Sequence, residues 1–394
     1  MTTQKRRLQA GVSTLKTCPP MSDLEAWLKL TRTPGIDAAA VESLLHHFGS
    51  AEQATAAGPD AWRRIGLASH PDRAGPEIAA DVAIALEWLQ ADPVRHHLLT
   101  LASADYPPLL RRIQDPPVAL FIDGNPGLLA EPQLAVVGSR NPSPGGRDNA
   151  FAFAGFLSRC GLLITSGLAL GVDSQAHRGA LDDGESTIAV CGTGLDVVYP
   201  RANAELASRI AEHGALVSEF FPGTAPLRGN FPRRNRLISG LALGVLVVEA
   251  ALRSGSLITA RLAAEQGREV FAIPGSIHNP MARGCHRLIR EGAKLVESAE
   301  DVLAELGPLV GSLGDNVTSP VVSDQGPQES PEAPDAEYMR LLDACGSDPV
   351  SVDQLAERTK LTAAEVSSML LILELQGYVE SGTGGRYTRA GKRF

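Results

Sequence analysis

Between residues 134 and 306 six short apolar runs recur: LAVV (134–137), LLIT (162–165), TIAVC (187–191), ALVS (215–218), VLVV (245–248) and EVFAI (269–273). Stretches of helical character separate each run from the next. Strands alternating with helices build βαβ units, and βαβ units build a parallel sheet. The runs are nearly continuous in apolar residues, as strands covered on both faces are. This rhythm predicts a Rossmann-like, doubly wound parallel sheet, an α/β fold.

In an open parallel sheet, ligands bind outside the carboxyl ends of the strands. Those ends are unusually rich in small residues here. The runs exit into GSRNPSPGG (138–146), SGLALGVDSQAH (166–177), GTGLDVVYP (192–200), SEFFPG (218–223), EAALRSGSLITA (249–260) and IPGS (273–276). Small residues let a backbone approach a ligand closely, and each following helix offers free N–H groups and a positive dipole end. The loops therefore predict a phosphate-bearing ligand. None is a GxxxxGK[ST] phosphate loop, and SGLALG is not GxGxxG; no carboxylate sits where a ribose would need one. A simple NAD enzyme or phosphate-loop ATPase is disfavoured.

The chain carries a net charge of −9, so attraction for a polyanion has to be local. FPRRNRLISG (231–240) supplies it: Arg228, Arg233, Arg234 and Arg236 fall within nine residues. Residues 134–306 hold 17 acidic and 17 basic residues, and 16 of those basic residues are arginine, whose planar fork grips phosphate at two points. The competing reading is that some of these arginines pair with Glu219 or Glu249 and tie the sheet edge together. Arg233 and Arg234 are adjacent on a helix and point different ways, so one site is not expected to use both. Phe221, Phe231 and Tyr199 either stack on bases or fill the core.

The flanks read differently. Residues 1–21 are a basic disordered leader without the apolar core of a secretion signal. SDLEAWLKLTRT, DAAAVESLLHHFGS and PEIAADVAIALEWLQA place a helical domain at 22–104, and the proline-rich segment 105–133 connects it to the core. Residues 307–336 hold five prolines and five acids with no Lys, Arg or His, the composition of a disordered linker. A small domain fills 337–394. The five cysteines are odd in number and widely spaced, which excludes a disulfide framework or zinc site and fits a cytoplasmic, soluble protein without metal or cofactor.

Several segments together resemble the DNA-processing protein A (DprA/Smf) family: AVVGSR (135–140), TSGLALGVDSQAHRGAL (165–181), TIAVCGTGLDVVYP (187–200), SEFFPG (218–223), FPRRNRLISGLALGVLVVEAALRSGSLITA (231–260), IPGS and GCHRLIREGA. The resemblance spans 134–306 in order. It implies a non-enzymatic, sequence-independent single-stranded DNA binder. Such a protein protects incoming DNA, loads RecA onto it during natural transformation or recombination, and forms a homodimer through the Rossmann-like domain. Carried over position by position, Gly138, Ser139 and Arg140, Ser166 and Gly167, Arg233, Arg234, Asn235 and Arg236, and Ser254 and Gly255 line the DNA pocket. Asp173 and His177 organise their loop instead. Gly145 and His286 depart from the family pattern, and the His286 loop is left out of the site.

The same resemblance reads TPGIDAAAVESLLHHFGS (33–50) as a degenerate helix-hairpin-helix of the SAM-like kind, with Asp37 where a phosphate would approach. The 337–394 unit reads as a winged helix whose third helix opens with a Thr362/Glu365 capping box. That helix has no Lys or Arg over 362–376, against groove reading, while the tail RYTRAGKRF remains available for phosphates. Two alternatives stand beside the DNA-binding reading. A Rossmann-like nucleotide sensor would bind a mononucleotide in competition with DNA. A LOG-like nucleotide hydrolase would need a catalytic Glu directly after the RSGS loop, where the first acid is Glu265.

Overall fold

The structure is a computed structural model that describes residues 21–67, 75–182, 184–311, 336–345, 349–375, 378–382 and 385–389. It divides into two compact units, the described residues of Met1–Ala130 with Val190–Gly240, and of Glu131–Ala189 with Leu241–Phe394. Residues 1–20 of the expected leader, residues 312–335 of the expected linker and the C-terminal Lys392 and Arg393 lie outside the described residues, and Met21 already belongs to the first helix.

The first unit opens with four helices, α1 (Met21–Arg32), α2 (Ala38–Phe48), α3 (Ala51–Arg64) and α4 (Gly75–Ala91). Trp27, Leu30, Val41, Leu44, Ala54 and Trp62 meet in their core, and the Trp62 indole donates to the Ala54 carbonyl at 2.7 Å. Asp37 caps α2: its carboxylate accepts from the Ala40 amide at 2.8 Å. The donor that would meet a phosphate in a DNA-binding hairpin is thus taken by the chain itself.

Two strands here were not apparent from the sequence. Strand β1 (His96–Thr100) ends the span expected to be wholly helical, and β2 (Ala119–Gly124) lies inside the expected connector, after the single-turn helix α5 (Pro108–Arg111). They pair antiparallel, Leu98 opposite Phe121, and β2 pairs antiparallel with β6 (Ala215–Ser218), Phe121 opposite Ser218. The flanking prolines hide VALFIDG as a strand, although the prolines lie outside its ladder. The unit also contains α8 (Ala204–His213) and the arginine-bearing helix α9 (Asn230–Leu241).

The second unit holds the parallel ladder. Its strands are β3 (Gln133–Val137), β4 (Leu163–Ser166), β5 (Thr187–Val190), β7 (Gly244–Val247), β8 (Glu269–Ala272) and β9 (Lys294–Leu295). They run β5-β4-β3-β7-β8-β9, every pair parallel. This is the Rossmann order, with its switch point between β3 and β7. The crossovers are α6 (Pro144–Arg159), α7 (Val172–Asp182), α10 (Ser256–Glu265) and α11 (Arg283–Arg290). α6 and α7 touch backbone to backbone, because a Cβ on Gly179 would collide with the Phe151 carbonyl.

All six expected strands are present; β9 is an addition. Helix α12 (Ala299–Gly311) carries order past residue 307, where the linker was expected to begin.

The C-terminal part is a winged helix: α13 (Ala336–Cys345), α14 (Val352–Thr359) and α15 (Ala363–Leu375) with the three-stranded sheet β10-β12-β11 (Val350–Ser351, Arg386–Arg389, Val379–Gly382). The expected capping box is made: the Thr362 amide donates to Glu365 at 2.8 Å, and the Glu365 amide to the Thr362 hydroxyl at 3.3 Å. Among the described residues, no helix is long and apolar enough to cross a membrane, and no cluster of His, Cys, Asp or Glu could hold a metal.

Candidate nucleic-acid interface

The arginine cluster lies on α9, and the helix separates its four members. Arg234 is buried at 5% exposure, and its Nη1 donates to the Val190 carbonyl at the end of β5. The Arg236 side chain is 12% exposed; its Nη2 donates to Glu219 Oε2 at 2.6 Å and its Nε approaches Asp115 at 3.4 Å. Arg233 has a side chain 60% exposed and reaches the same Glu219 oxygen at 3.1 Å, with its guanidinium 5.8 Å from the Phe220 ring centre. Arg228 is exposed in the preceding loop, and Asn235 is half-buried. Within the cluster, Arg228 and Arg233 face outward, while Arg234 and Arg236 are turned into the fold.

Helical geometry explains the split. Arg233 and Arg234 sit about 100° apart around α9. Leu237, Ile238 and Leu241 put one face into the core, and Arg234, three residues before Leu237, belongs to that face. The second expectation for Glu219, a tie to the arginines, is met twice over. Burial pushes the Glu219 carboxyl above the usual carboxylate range, against the opposing pull of Arg236 and Arg233.

Aromatic groups lie on the same unit. Phe221 is core, edge-on to Phe121 at 5.1 Å. Phe231 is half-buried over Gly192, where a Cβ would meet its ring at 3.0 Å, and its ring lies 5.5 Å from that of Tyr199, itself 46% exposed. Leu227 is exposed beside Arg228. Asn230 fastens the loop by donating to the Gly192 carbonyl at 3.1 Å, and Asp196 accepts from the Gly223 amide at 2.8 Å.

The second unit carries the remaining expected residues. Gly138 ends β3 where a Cβ would strike Val172 at 2.6 Å, so only glycine fits. Ser139 is buried and its hydroxyl accepts from the Asn141 amide at 3.1 Å; Arg140 is exposed. Ser166 is buried and donates to the Val136 carbonyl at 2.6 Å, and Gly167 beside it is buried too. Ser254 is half-buried, its hydroxyl 2.7 Å from that of Ser256, and Gly255 opens to solvent. Of this set only Arg140 and Gly255 face outward. Asp173 and His177 are internal: Asp173 accepts from the Ala169 amide at 3.3 Å, and His177 Nδ1 lies 2.8 Å from the Thr187 hydroxyl.

A residue that sequence reasoning treated only as a partner for arginine closes the switch point. Glu249, which follows β7 and is 8% exposed, pairs with no arginine among the described residues. Its Oε2 accepts from the Ser143 amide at 2.8 Å and its Oε1 from the Ser143 hydroxyl at 2.6 Å and from Asn279 at 3.2 Å. A Cβ on Gly146 would meet this carboxylate at 2.6 Å. Glu249 thus occupies the start of α6, where a Rossmann fold ordinarily takes a nucleotide phosphate. That helix start is therefore closed to the mononucleotide of the sensor reading. Glu265, the first acid after the RSGS loop, closes α10 about 13.5 Å along the helix from its first residue and pairs with Arg261 at 3.5 Å, away from where the hydrolase reading needs a base.

This arrangement matches known proteins closely. The DNA recombination-mediator protein A family model covers residues 97–307. The chain belongs to this family. The DprA-like N-terminal HHH domain matches residues 22–80 and the DprA winged helix domain residues 325–385. Protein Smf of Escherichia coli (strain K12) is 46% identical over 304 residues, covering 76% of this chain and 78% of its own. Protein Smf of Synechocystis sp. is 34% identical over 394 residues, covering 93% and 99%. Among solved structures, DprA from Streptococcus pneumoniae aligns with a TM-score of 0.59 at 39% identity, over 73% of this chain and 99% of that one.

Proposed function

We propose that this DprA/Smf-family chain binds single-stranded DNA without sequence preference, protects it, and delivers it to RecA in recombination or natural transformation, acting as a binding protein in the cytoplasm. The carrying observation is that Arg228 and Arg233 face outward on the same unit as the Tyr199–Phe231 ring pair, with the Arg233 guanidinium 5.8 Å from the Phe220 ring centre. Cations take the backbone and aromatic faces take unstacked bases, a combination that suits a single strand and gives little base discrimination. Taken by itself, the other unit offers Arg140 and the open Gly255 loop to phosphate. Ser139, Ser166, Gly167, Arg234 and Arg236 shape the backbone and the helix, so their part in binding is indirect.

RecA delivery and homodimerisation are carried over from the family resemblance. For a dimer through the Rossmann-like domain we propose the outer edge of the parallel ladder. There β9 exposes both of its residues, and a cavity of about 460 Å³ is lined by Leu252, Pro274, Ile289, Leu295, Arg283 and Arg290. Anisotropy of a labelled oligo-dT, as single strand and as duplex across a salt series, tests the binding reading. Preference for the single strand with a steep salt slope supports it, and equal binding of both forms sinks it.

A further inference from the structure

Glu219 follows the last residue of β6 with a side chain only 4% exposed, yet two arginines of unlike exposure share its Oε2. Arg236 is held from two sides, by Glu219 at 2.6 Å and Asp115 at 3.4 Å, and is nearly covered. Arg233 touches Glu219 at 3.1 Å through its Nη2, lies 5.8 Å from the Phe220 ring centre, and has a side chain 60% exposed. The other carboxylate oxygen, Oε1, is buried without a partner among the described residues. An outward-facing cation of the proposed DNA surface is therefore tethered at one corner to an inward-facing anion.

We propose that Glu219 is an internal stand-in for a DNA phosphate: it holds Arg233 in the unliganded protein and competes with the strand for it, so that it sets affinity. The idea rests on the single-stranded DNA reading above. A carboxylate and a phosphate present the same acceptor oxygens to a guanidinium fork, so one can replace the other. Arg236 stays put because Asp115 also holds it. The remaining charged and titratable groups near Glu219 keep their own partners: Tyr106 donates to the Pro117 carbonyl at 2.8 Å, and Arg111 lies 5.0 Å from the Tyr106 ring centre. The carboxyl's raised proton affinity works in the same direction, since protonation loosens the tether. A pair with one partner this exposed is worth a factor of about two to five in an equilibrium.

The test is the dissociation constant of a fluorescent oligo-dT at fixed pH and salt for wild type, Glu219→Gln, Glu219→Asp, Arg233→Ala and Arg233→Ala with Glu219→Gln, with thermal melting as the fold control. Glu219→Gln tightens binding about two- to five-fold, because the amide keeps the shape and loses the charge. Glu219→Asp also tightens it, because the charge stays but the reach is shortened. In the Arg233→Ala background the gain from Glu219→Gln disappears, as a tether acting through Arg233 requires. Unchanged or weaker binding by a folded Glu219→Gln overturns the proposal and makes Glu219 a residue that positions Arg233. A gain that persists without Arg233 reduces it to a general charge effect and overturns it equally. A wild type that does not bind the single strand removes the DNA reading itself, a failure visible before any variant is compared.

Discussion

Replacing Arg234 by Ala separates burial from binding. The guanidinium is 5% exposed and donates to the Val190 carbonyl, so the substitution leaves a buried carbonyl short of a charge-assisted bond and opens space beside β5. The lost bond costs about 1.5–3 kcal/mol. The buried part of the side-chain stem adds about 1 kcal/mol or more. About 3 kcal/mol corresponds to a drop in Tm of about 6–12 °C for a domain of this size. The salt slope of single-stranded DNA binding, by contrast, stays where it was. Substituting Arg228 and Arg233 by Ala together does the opposite: stability is nearly unchanged, and the log–log slope falls by about 1.4, or about 0.7 per phosphate contact on a single strand. Scanning fluorimetry reads the first quantity and anisotropy at four or five salt concentrations the second. A stable Arg234→Ala protein whose slope falls by about 0.7 refutes the reasoning, because Arg234 would then meet phosphate despite its position in the fold.

Burial pushes the thiols of Cys191 and Cys285 up to about 12 and that of Cys345 up to about 11, so none of the three reacts with a disulfide reagent at pH 8 until denaturant is added; rapid labelling in the native state contradicts this. Gly179→Ala forces a methyl into the Phe151 carbonyl across the α6–α7 contact and destabilises the fold by about 1–3 kcal/mol, read as a shift in urea midpoint at constant m. Because burial raises the Glu219 pKa in the folded state, the folded protein binds that proton more tightly than the unfolded chain. Its contribution to stability is greatest at low pH and is lost as pH rises from the usual carboxylate value through the raised one. Glu219→Gln removes that part of the slope, and a pH–stability profile identical to wild type shows the shift to be absent.

The parallel sheet was legible because strands covered on both faces leave a nearly unbroken apolar signature, and each of the six runs appears as a strand within a residue or so. The antiparallel pair of β1 and β2 was not, because HHLLT mixes polar and apolar residues at the end of a helical stretch and VALFIDG sits among prolines. The site was legible as composition and not as geometry. FPRRNR announces a cationic helix start, but which arginine faces inward depends on how α9 meets the core. Leu237, Ile238 and Leu241 mark the buried face and bring Arg234 onto it, a periodicity available in the sequence. The role of Glu249 had no such signal. Its partners Ser143 and Asn279 lie 106 and 30 residues away, and only the sheet order brings them together.

An acidic chain can hold a polyanion because electrostatics in salt is short-ranged. With 45 acidic and 36 basic residues the whole molecule repels DNA, but charges further apart than about 8 Å are largely screened at physiological ionic strength. On the proposed single-strand reading, what the strand senses is the neighbourhood of Arg228 and Arg233. There the nearest buried carboxylate, Glu219, is already shared between two arginines. Elsewhere the fold closes two of the anion sites that its helices would offer, with Asp37 over α2 and Glu249 over α6. A backbone phosphate site at either position would invite mononucleotides and free phosphate. A surface of arginines beside aromatic rings favours instead a ligand that offers several phosphates and exposed base faces together, which a single strand does and a mononucleotide does not.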